Sequence, residues 1–588
     1  QLACGDRSGE QLVLSELRRK VALEERDYVV RDRGARPLRF LREPGYELVR
    51  LVTRFPERFA GFSARTISRR LPLAFDGEEG PSPLAEMLVG KVQMPSLIDL
   101  VEREEQRREL ASLTEQVARS SEQDRLLRDL VAESLGATEL LGSTGIEGYF
   151  DALLAGRNGF RETQGLEERE RGGREAFYQP AIDGLDLVLT LDLDLQRAAQ
   201  RLLEHPEPAP DDEDRPDDEW TRHPVGAIVL MTPTGEVLAA ASVPTKPGEV
   251  GLHQDGQRAI VLERTLRLPT HQPPGSVFKV FIAAWAMQFR GLDPERGLVW
   301  CRPEDGELPH WGHVHCHSHW GHSEFPLFPK IDLRTALRRS CNVYFSLLGD
   351  QYFDAEAMRS MVTAFGFGEP TGIRSLPPER AGAVRFEDAL LSGPLGESTS
   401  PLHEVHRQRL ANGLSYISTT PMQIARAYAA LATGVLPDVR IVQGMQELQK
   451  PRSARPLPID AGVLAFLREN LIDVVERQDG SAYGKHLDRA SLGFQVALKT
   501  GSADYKRGEV PAYPLTRRTV AAWESGMRKH TWGAGWFPAR DPKLVFTVYV
   551  HDTATTSGGG AVYLASQLLH SEAIGSYLRA AGVPLEQR

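Results

Sequence analysis

A serine and a lysine three residues apart, Ser276 and Lys279, have the spacing of a nucleophile and its base. They follow a Pro-Pro-Gly turn and open an apolar stretch, residues 277–287, which predicts a buried helix. Burial disfavours the charged form of a lysine, and the first turn of a helix is unfavourable for a cation. A neutral lysine at this place could accept the serine proton. The alternative is a serine that caps the helix and a lysine that reaches solvent, and Ser-x-x-Lys alone does not exclude it.

Two more short motifs follow, Ser-Cys-Asn at residues 340–342 and Lys-Thr-Gly at residues 499–501. Each has a structural alternative, a turn between helices for the first and a bend at the end of a strand for the second. The three motifs in this order resemble the set found in penicillin-binding proteins and serine β-lactamases. With landmarks elsewhere in the chain, among them Gly-Ser-Ala at residues 480–482, the sequence resembles a class B penicillin-binding protein of the elongation type.

This resemblance implies a role for each residue of the first two motifs. Ser276 would attack the carbonyl of a D-Ala-D-Ala peptide stem and form an acyl-enzyme. Lys279 would be the base, with a pKa lowered by burial and by the cationic Lys499. Ser340 would relay a proton to the leaving amine, and Asn342 would hold the substrate backbone and Lys279.

The third motif would bind the substrate. Lys499 would supply positive potential, and the hydroxyls of Thr500 and Ser502 would suit the terminal carboxylate. Gly501 would let the substrate strand pass close to the edge of the β-strand. The backbone N–H groups of Ser276 and Ser502 would form the oxyanion hole.

Three of the four cysteines, Cys301, Cys316 and Cys341, lie in one region, and six histidines fall between residues 310 and 322. One interpretation is a solvated histidine-rich loop with a Cys301–Cys316 disulfide, which suits a protein outside the cytoplasm. The other is a structural zinc ion held by the three cysteines and His322. Their order resembles the metal site of some elongation-type class B proteins, and the sequence favours zinc over the disulfide.

The elements that must position these residues form two predicted domains. Residues 1–182 are rich in Arg and Glu and include a predicted amphipathic helical stretch at 97–135. By resemblance they are an elongated N-terminal pedestal, or dimerisation domain. Residues 183–588 would be the transpeptidase domain. Its predicted strands are 186–191, 227–231, 237–241, 494–498, 532–537 and 544–550, and its further predicted helices are those at 335–351, 420–433 and 561–578. The strands 227–231 and 237–241 flank a polar turn that contains Gly235, which predicts a β-hairpin.

Strands at both ends with helices between them predict an α+β fold. The resemblance implies the serine penicillin-recognising transpeptidase fold, a central antiparallel sheet with helices. The net charge of −10 and pI near 6.0 argue against nucleic acid as a partner. The sequence contains no apolar run long enough to span a bilayer and starts at Gln1, so we expect a missing upstream anchor.

The resemblance therefore implies a peptidoglycan D,D-transpeptidase of the cell envelope that cross-links stem peptides and is inhibited by β-lactams. It needs no cofactor for catalysis, and its pedestal would dock a membrane glycosyltransferase. Two alternatives remain open. One is a D,D-carboxypeptidase or β-lactamase with the same motifs, although such enzymes usually lack so large a pedestal. The other is a β-lactam-sensing or scaffold protein that binds without turnover.

Overall fold

The structure is a computed structural model of the 588-residue chain. The residues that it describes are mainly 186–206, 225–243, 264–266, 273–302, 329–373, 404–414, 419–443, 454–504, 529–553 and 559–585, with short pieces between 74 and 184 and between 310 and 323. The predicted helical stretch at 97–135 and most of the predicted pedestal lie outside these residues. The domain boundary at 182/183 therefore stays a prediction.

A five-stranded antiparallel sheet lies at the centre of the fold. Its strands are β1 (Gly226–Met231), β2 (Val237–Val243), β3 (Ala497–Asp504), β4 (Lys529–Phe537) and β5 (Leu544–Thr553). Their order across the sheet is β3-β4-β5-β1-β2, and β5 pairs with β1. The two ends of the domain thus meet in one sheet, and β3, with the third motif, is an edge strand. The predicted hairpin of β1 and β2 and the antiparallel sheet of an α+β fold are confirmed.

Side chains of the sheet alternate between two hydrophobic cores, as the period of two in a strand requires. In β1, Val229 and Met231 belong to one core, with Tyr549 of β5. Ile228 and Leu230 belong to the other core, with Phe546. Both faces of the sheet are therefore buried, which is why β1 is a continuous run of apolar residues.

Helices cover the two faces from different parts of the chain. Their bounds are α1 Leu193–Glu204, α2 Lys279–Phe289, α3 Leu333–Arg338, α4 Asn342–Gln351, α5 Ala355–Ala364, α6 Glu404–Ala411, α7 Pro421–Thr433, α8 Ala461–Glu476, α9 Arg489–Leu492, α10 Gly559–His570 and α11 Glu572–Ala580. Helices α1 and α10 pack on one face of the sheet, and α11 packs against both of them. Helix α7 packs on the other face, against β1, β4 and β5. The first and second motifs lie on this second side.

The remaining described elements are short. They are the helices Gly145–Tyr149 and Asp151–Leu154 and the strand pairs Ala74–Gly77 with Gly80–Pro83, Val92–Gln93 with Leu141–Gly142, Phe160–Arg161 with Tyr178–Gln179, His310–Trp311 with Val314–His315, and Val435–Leu436 with Arg455–Pro456. Within the described part of the chain, no helix has the length and apolar character needed to cross a membrane.

Several predicted elements differ in detail. The predicted helix at 335–351 is two helices, α3 and α4, because Ser340 between them has a positive φ of 55°. The predicted closing helix at 561–578 is also two, because the Ser571 hydroxyl caps a new helix at Ile574 N–H. The predicted strand at 186–191 is wrong. In that segment Val188 O accepts from Gln443 N–H and Thr190 N–H donates to Ile441 O, with one isolated bridge at Leu189, and no ladder forms.

Candidate active site

The turn that carries Ser276 is a 3₁₀ helix, Gly275–Phe278, and α2 begins at Lys279. Pro274, not Ser276, occupies the N-cap position, so the interpretation of Ser276 as a helix cap is wrong. Ser276 is partly exposed, whereas Lys279 is fully buried. The carbonyls on either side of Ser276 are fixed from the core, because Trp532 Nε1 donates to Pro273 O at 3.1 Å and Tyr428 Oη to Val277 O at 2.8 Å.

Two glycines approach the serine turn closely. Gly275 N–H donates to Gly413 O at 2.8 Å, and a Cβ on Gly413, which has φ +69°, would lie 2.2 Å from Gly275 O. On the opposite side, a Cβ on Gly501 would lie 2.9 Å from Val277 Cγ1 and 3.0 Å from Pro274 O. The resemblance predicts glycine at position 501 because the substrate strand needs room there. In the structure, glycine is needed because the serine turn occupies the space that a side chain would fill.

Lys279 lies between the first and second motifs. Its Nζ donates to Ser340 O at 2.9 Å and to Asn342 Oδ1 at 2.7 Å, and it lies 5.4 Å from the centroid of the Phe345 ring. Burial lowers the pKa of Lys279 to about 8, against an opposing effect of the nearby thiols, of which Cys341 has the largest. The structure thus contains the expected contact between Asn342 and Lys279. A substantial neutral fraction near pH 8 is what a base requires.

Lys499 joins the third motif to the second. It is fully buried, and its Nζ donates to Ser340 Oγ at 2.8 Å and to Thr500 O at 3.0 Å. Burial, and then repulsion from Lys279, lower the pKa of Lys499 well below its usual value. We expected repulsion between the lysines to lower the pKa of Lys279, but in the structure it lowers that of Lys499. Ser340 therefore accepts a hydrogen bond from each lysine, one on its carbonyl and one on its hydroxyl.

The residues of the third motif that are predicted to bind substrate lie along β3. Thr500 is 5% exposed, and its hydroxyl shares a 2.8 Å hydrogen bond with Ser481 Oγ. Ser502 is partly exposed, and its backbone faces the serine turn, because a Cβ on Gly275 would lie 2.3 Å from Ser502 O. The sequence marked residues 480–482 only as a family landmark. The role of Ser481 beside Thr500 was missed.

The four residues predicted to bind zinc lie together and are all buried. One ligand atom from each of Cys301, Cys316, His322 and Cys341 falls within 4.8 Å of the other three. His322 Nδ1 lies 3.5 Å from Cys301 Sγ and 3.3 Å from Cys316 Sγ. A tetrahedral ion with bonds of about 2.3 Å to sulfur and about 2.0 Å to nitrogen would separate those atoms by about 3.5 Å. The donor set and its spacing therefore fit zinc.

The alternative for this region, a disulfide between Cys301 and Cys316, is not formed in the structure. Cys301, Cys316 and Cys341 all carry thiols. Cys341 lies directly between Ser340 and Asn342, so the cluster and the second motif share one backbone segment.

A comparison with protein families matches residues 225–569, more than half of the chain, to the family described as "Penicillin binding protein transpeptidase domain". Among curated relatives, the peptidoglycan D,D-transpeptidase MrdA of Haemophilus influenzae is 24% identical over 467 residues, which cover 74% of this chain and 63% of that protein. The penicillin-binding protein PbpB of Mycobacterium tuberculosis is 26% identical over 457 residues, 76% of this chain and 59% of that protein. The chain thus spans less than two thirds of the length of either relative.

Two solved structures have the same fold. The penicillin-binding protein PBP2 of Helicobacter pylori, solved in a complex with MreC, superposes with a TM-score of 0.58 at 21% identity, over 85% of this chain and 78% of that one. PBP2 of Pseudomonas aeruginosa, in complex with WCK 5153, gives a TM-score of 0.53 at 21% identity, over 80% and 88%. The expected transpeptidase fold is therefore confirmed.

Proposed function

The chain belongs to the penicillin-binding protein transpeptidase family, and we propose on this basis that it is a peptidoglycan D,D-transpeptidase acting through an acyl-enzyme on Ser276. The resemblance to a class B protein is confirmed by its relatives, several of which are named peptidoglycan D,D-transpeptidases. One observation carries the proposed chemistry. The amine of Lys279 is buried one turn from Ser276, has a pKa near 8, and is held by Ser340 and Asn342.

In the first step, neutral Lys279 accepts the Oγ proton of Ser276 while that oxygen attacks the carbonyl carbon of the penultimate D-alanine. Backbone N–H groups of Ser276 and Ser502 stabilise the resulting oxyanion. The bond to the terminal D-alanine then breaks, and its nitrogen takes a proton from the Ser340 hydroxyl. The proton that Lys279 took from Ser276 replaces it on the Ser340 oxygen, to which Lys499 Nζ donates a hydrogen bond at 2.8 Å.

In the second step, the amine of an acceptor stem attacks the ester carbon on Ser276. The amine gives up a proton to Lys279, the ester bond breaks, the Ser276 oxygen takes that proton, and a new peptide bond cross-links the two stems. Asn342 holds the backbone of the donor stem. The terminal carboxylate is held by the Thr500 and Ser502 hydroxyls and, when Lys499 is protonated, by its positive charge. Attack by water instead of the amine would make the protein a D,D-carboxypeptidase, which is the main alternative. A β-lactam acylates the same serine, because its strained amide carbonyl takes the place of the stem carbonyl.

Intact mass after incubation with a labelled penicillin tests the proposal. A stable adduct on Ser276 supports a transpeptidase, rapid release of the hydrolysed drug supports a β-lactamase, and no adduct overturns both. A donor stem pentapeptide incubated with an acceptor amine then separates the remaining enzymes. A cross-linked product supports the transpeptidase, whereas loss of D-alanine without cross-linking supports the carboxypeptidase. Binding of the penicillin without acylation would support a sensing or scaffold protein.

A structural zinc ion held by Cys301, Cys316, Cys341 and His322 is the second part of the proposal. The four buried donors, with sulfur–nitrogen distances near those of a tetrahedral site, support it. Bound there, the ion would supply structural bracing, and no step of the reaction passes through it. Through Cys341 the bracing would act on the backbone between Ser340 and Asn342.

The cellular setting is also a proposal. The MrdA-type relatives favour a role in elongation over one in division, in the cell envelope. Residues 1–182 would form the pedestal and residues 183–588 the transpeptidase domain. The complex of the Helicobacter pylori protein with MreC supports a protein partner for this chain, and a membrane glycosyltransferase would be a further one. Co-purification of both candidates with this chain, and its failure after deletion of residues 1–182, tests the docking role.

A further inference from the structure

Ser340 stands in a backbone conformation that a residue with a side chain rarely adopts. Its φ is +55°, in the left-handed region, so the surrounding structure must hold it there. The two lysines bond to it, Lys499 Nζ to its hydroxyl at 2.8 Å and Lys279 Nζ to its carbonyl at 2.9 Å. In the proposed reaction Lys279 exchanges a proton, and Lys499 bonds to the Ser340 hydroxyl, which also does. A support that does not change during the reaction must therefore come from elsewhere.

The two residues before Ser340 are arginines, and both bind one carboxylate. Arg338 Nη2 and Arg339 Nε each donate to Asp479 Oδ2 at 2.7 Å. Arg339 Nη1 also donates to His322 O at 3.0 Å. Burial alone would raise the pKa of Asp479, but the hydrogen bonds and charges of the two arginines outweigh it, and the pKa lies below its usual value. The carboxylate is therefore ionised at neutral pH and forms an ion pair with the largely buried guanidinium of Arg338.

The turn that contains Asp479 reaches the third motif. Ser481 N–H donates to Arg338 O at 3.0 Å, and Ala482 N–H donates to Val474 O of α8 at 3.0 Å. The Ser481 hydroxyl pairs with the Thr500 hydroxyl at 2.8 Å. Since Thr500 O accepts from Lys499, a ring of contacts runs from the arginines through Asp479 and Ser481 to the third motif and back to Ser340.

We propose that Asp479 is a positioning residue for acylation, which fixes Ser340 through Arg338 and Arg339, and that Ser481 fixes the hydroxyl of Thr500. This inference rests on the proposed function of the same site. The two residues act on different stages. Displacement of Ser340 slows the chemical step, because proton transfer depends on its hydroxyl. Displacement of the Thr500 hydroxyl weakens the non-covalent complex, because that hydroxyl is proposed to bind the carboxylate.

Time courses of acylation by a fluorescent penicillin, at several concentrations, separate the dissociation constant of the non-covalent complex from the acylation rate constant. Asp479→Asn should lower the rate constant by about tenfold or more and change the dissociation constant less than about twofold. Ser481→Ala should do the reverse, with a dissociation constant raised about fivefold, the effect of one hydrogen bond. If Asp479 only stabilised the fold, its replacement would not lower the acylation rate constant while leaving the dissociation constant nearly unchanged.

Asp488→Asn is the matched control. Asp488 lies in the same part of the chain, has a lowered pKa, and accepts hydrogen bonds from Ser491 N–H and Oγ at 3.0 and 2.9 Å, away from the motifs. It should acylate like the wild type. If Asp479→Asn does not fold, Arg339→Lys replaces it, because lysine keeps the charge but cannot bridge Asp479 and His322 O.

The outcomes separate this proposal from the function on which it rests. Acylation by Asp479→Asn within about twofold of the wild type overturns the positioning role, as does an equal loss in Asp488→Asn. The same holds if Arg339→Lys, used as the substitute, keeps the wild-type rate constant. A wild-type protein that forms no adduct overturns the proposed function, and the positioning role with it.

Discussion

Lys499 Nζ lies 2.8 Å from Ser340 Oγ, although the two residues are 159 positions apart in the sequence. The carbonyl of the same serine accepts from Lys279 at 2.9 Å. One residue thus contacts both buried amines, and its hydroxyl is the proposed path by which a proton leaves the site. The fold brings the three motifs together at this serine, and the proposed chemistry requires that meeting.

Ser276→Ala should abolish covalent labelling by penicillin and leave the fold nearly unchanged. Because Ser276 does not occupy the cap position, its loss should lower the free energy of unfolding by less than about 1 kcal/mol. Intact mass and thermal unfolding measure the two effects. Ser571→Ala is the control, since Ser571 caps α11. Its free energy of unfolding should fall by about 1 kcal/mol, and it should still be acylated. Residual labelling of Ser276→Ala would place the nucleophile elsewhere.

Lys279→Arg should also be inactive. A guanidinium keeps its proton in proteins and cannot act as the base, even where it reaches Ser340 O and Asn342 Oδ1. The acylation rate constant is the measurement, and Lys543→Arg, at an ion pair with the exposed Asp541, is the control. Acylation of Lys279→Arg near the wild-type rate would mean that Lys279 has only a structural role.

The acylation rate constant should rise with pH. The base must be neutral, and the neutral fraction of Lys279 rises as pH increases through its pKa of about 8. We expect a rise of about tenfold per pH unit below about pH 7 and a plateau above about pH 9. Rate constants measured from pH 6 to 9.5, corrected for spontaneous hydrolysis of the drug, test this. A flat or falling profile would contradict the assignment of Lys279 as the base.

Protein purified without a histidine tag should contain about one zinc ion per chain. Cys341→Ser should lose the metal, unfold at a lower temperature and acylate more slowly, because the ion would brace the backbone beside Ser340 and Asn342. Elemental analysis and thermal unfolding measure the first two effects independently of activity. Cys4→Ser, at the fourth cysteine, is the control. Only trace zinc, together with a protein mass two hydrogens below that of the reduced chain, would show a disulfide instead of a metal site.

Gly413→Ala should slow acylation although residue 413 bears no catalytic group. Its Cβ would lie 2.2 Å from Gly275 O, so the serine turn must move. Gly291→Ala is a close control, because Gly291 has a similar φ of +66° and no described atom within 4 Å of an added Cβ. In both variants the left-handed backbone should lower the free energy of unfolding by about 1–2 kcal/mol, but only Gly413→Ala should also lower the acylation rate constant. Equal rates in both would show that the contact with Gly275 is unimportant.

The candidate catalytic residues could be proposed from the sequence because their types do not suit their surroundings. A lysine inside an apolar helix, as at Lys279, stands out in a sequence without any knowledge of the fold. The hairpin of β1 and β2 was equally visible, because two apolar runs flank a short polar turn that contains Gly235. The four metal-ligand candidates were found by residue type and order, and the structure brings them together.

The supporting contacts could not be predicted, because they join ordinary residues across long stretches of chain. Asp479 lies 141 positions from Arg338, and nothing in the local sequence separates it from a surface aspartate. The break between α3 and α4 was missed for a related reason. Apolar periodicity continues across it, and the positive φ of Ser340 is imposed by contacts with distant residues rather than by the local sequence.

The close packing of Gly501 against the serine turn has a consequence for drug resistance. A side chain at this position would meet Val277 and Pro274, so a substitution that hinders a β-lactam there would also displace Ser276, the proposed nucleophile. Under the proposed function, resistance through residue 501 would therefore come with a loss of transpeptidase activity.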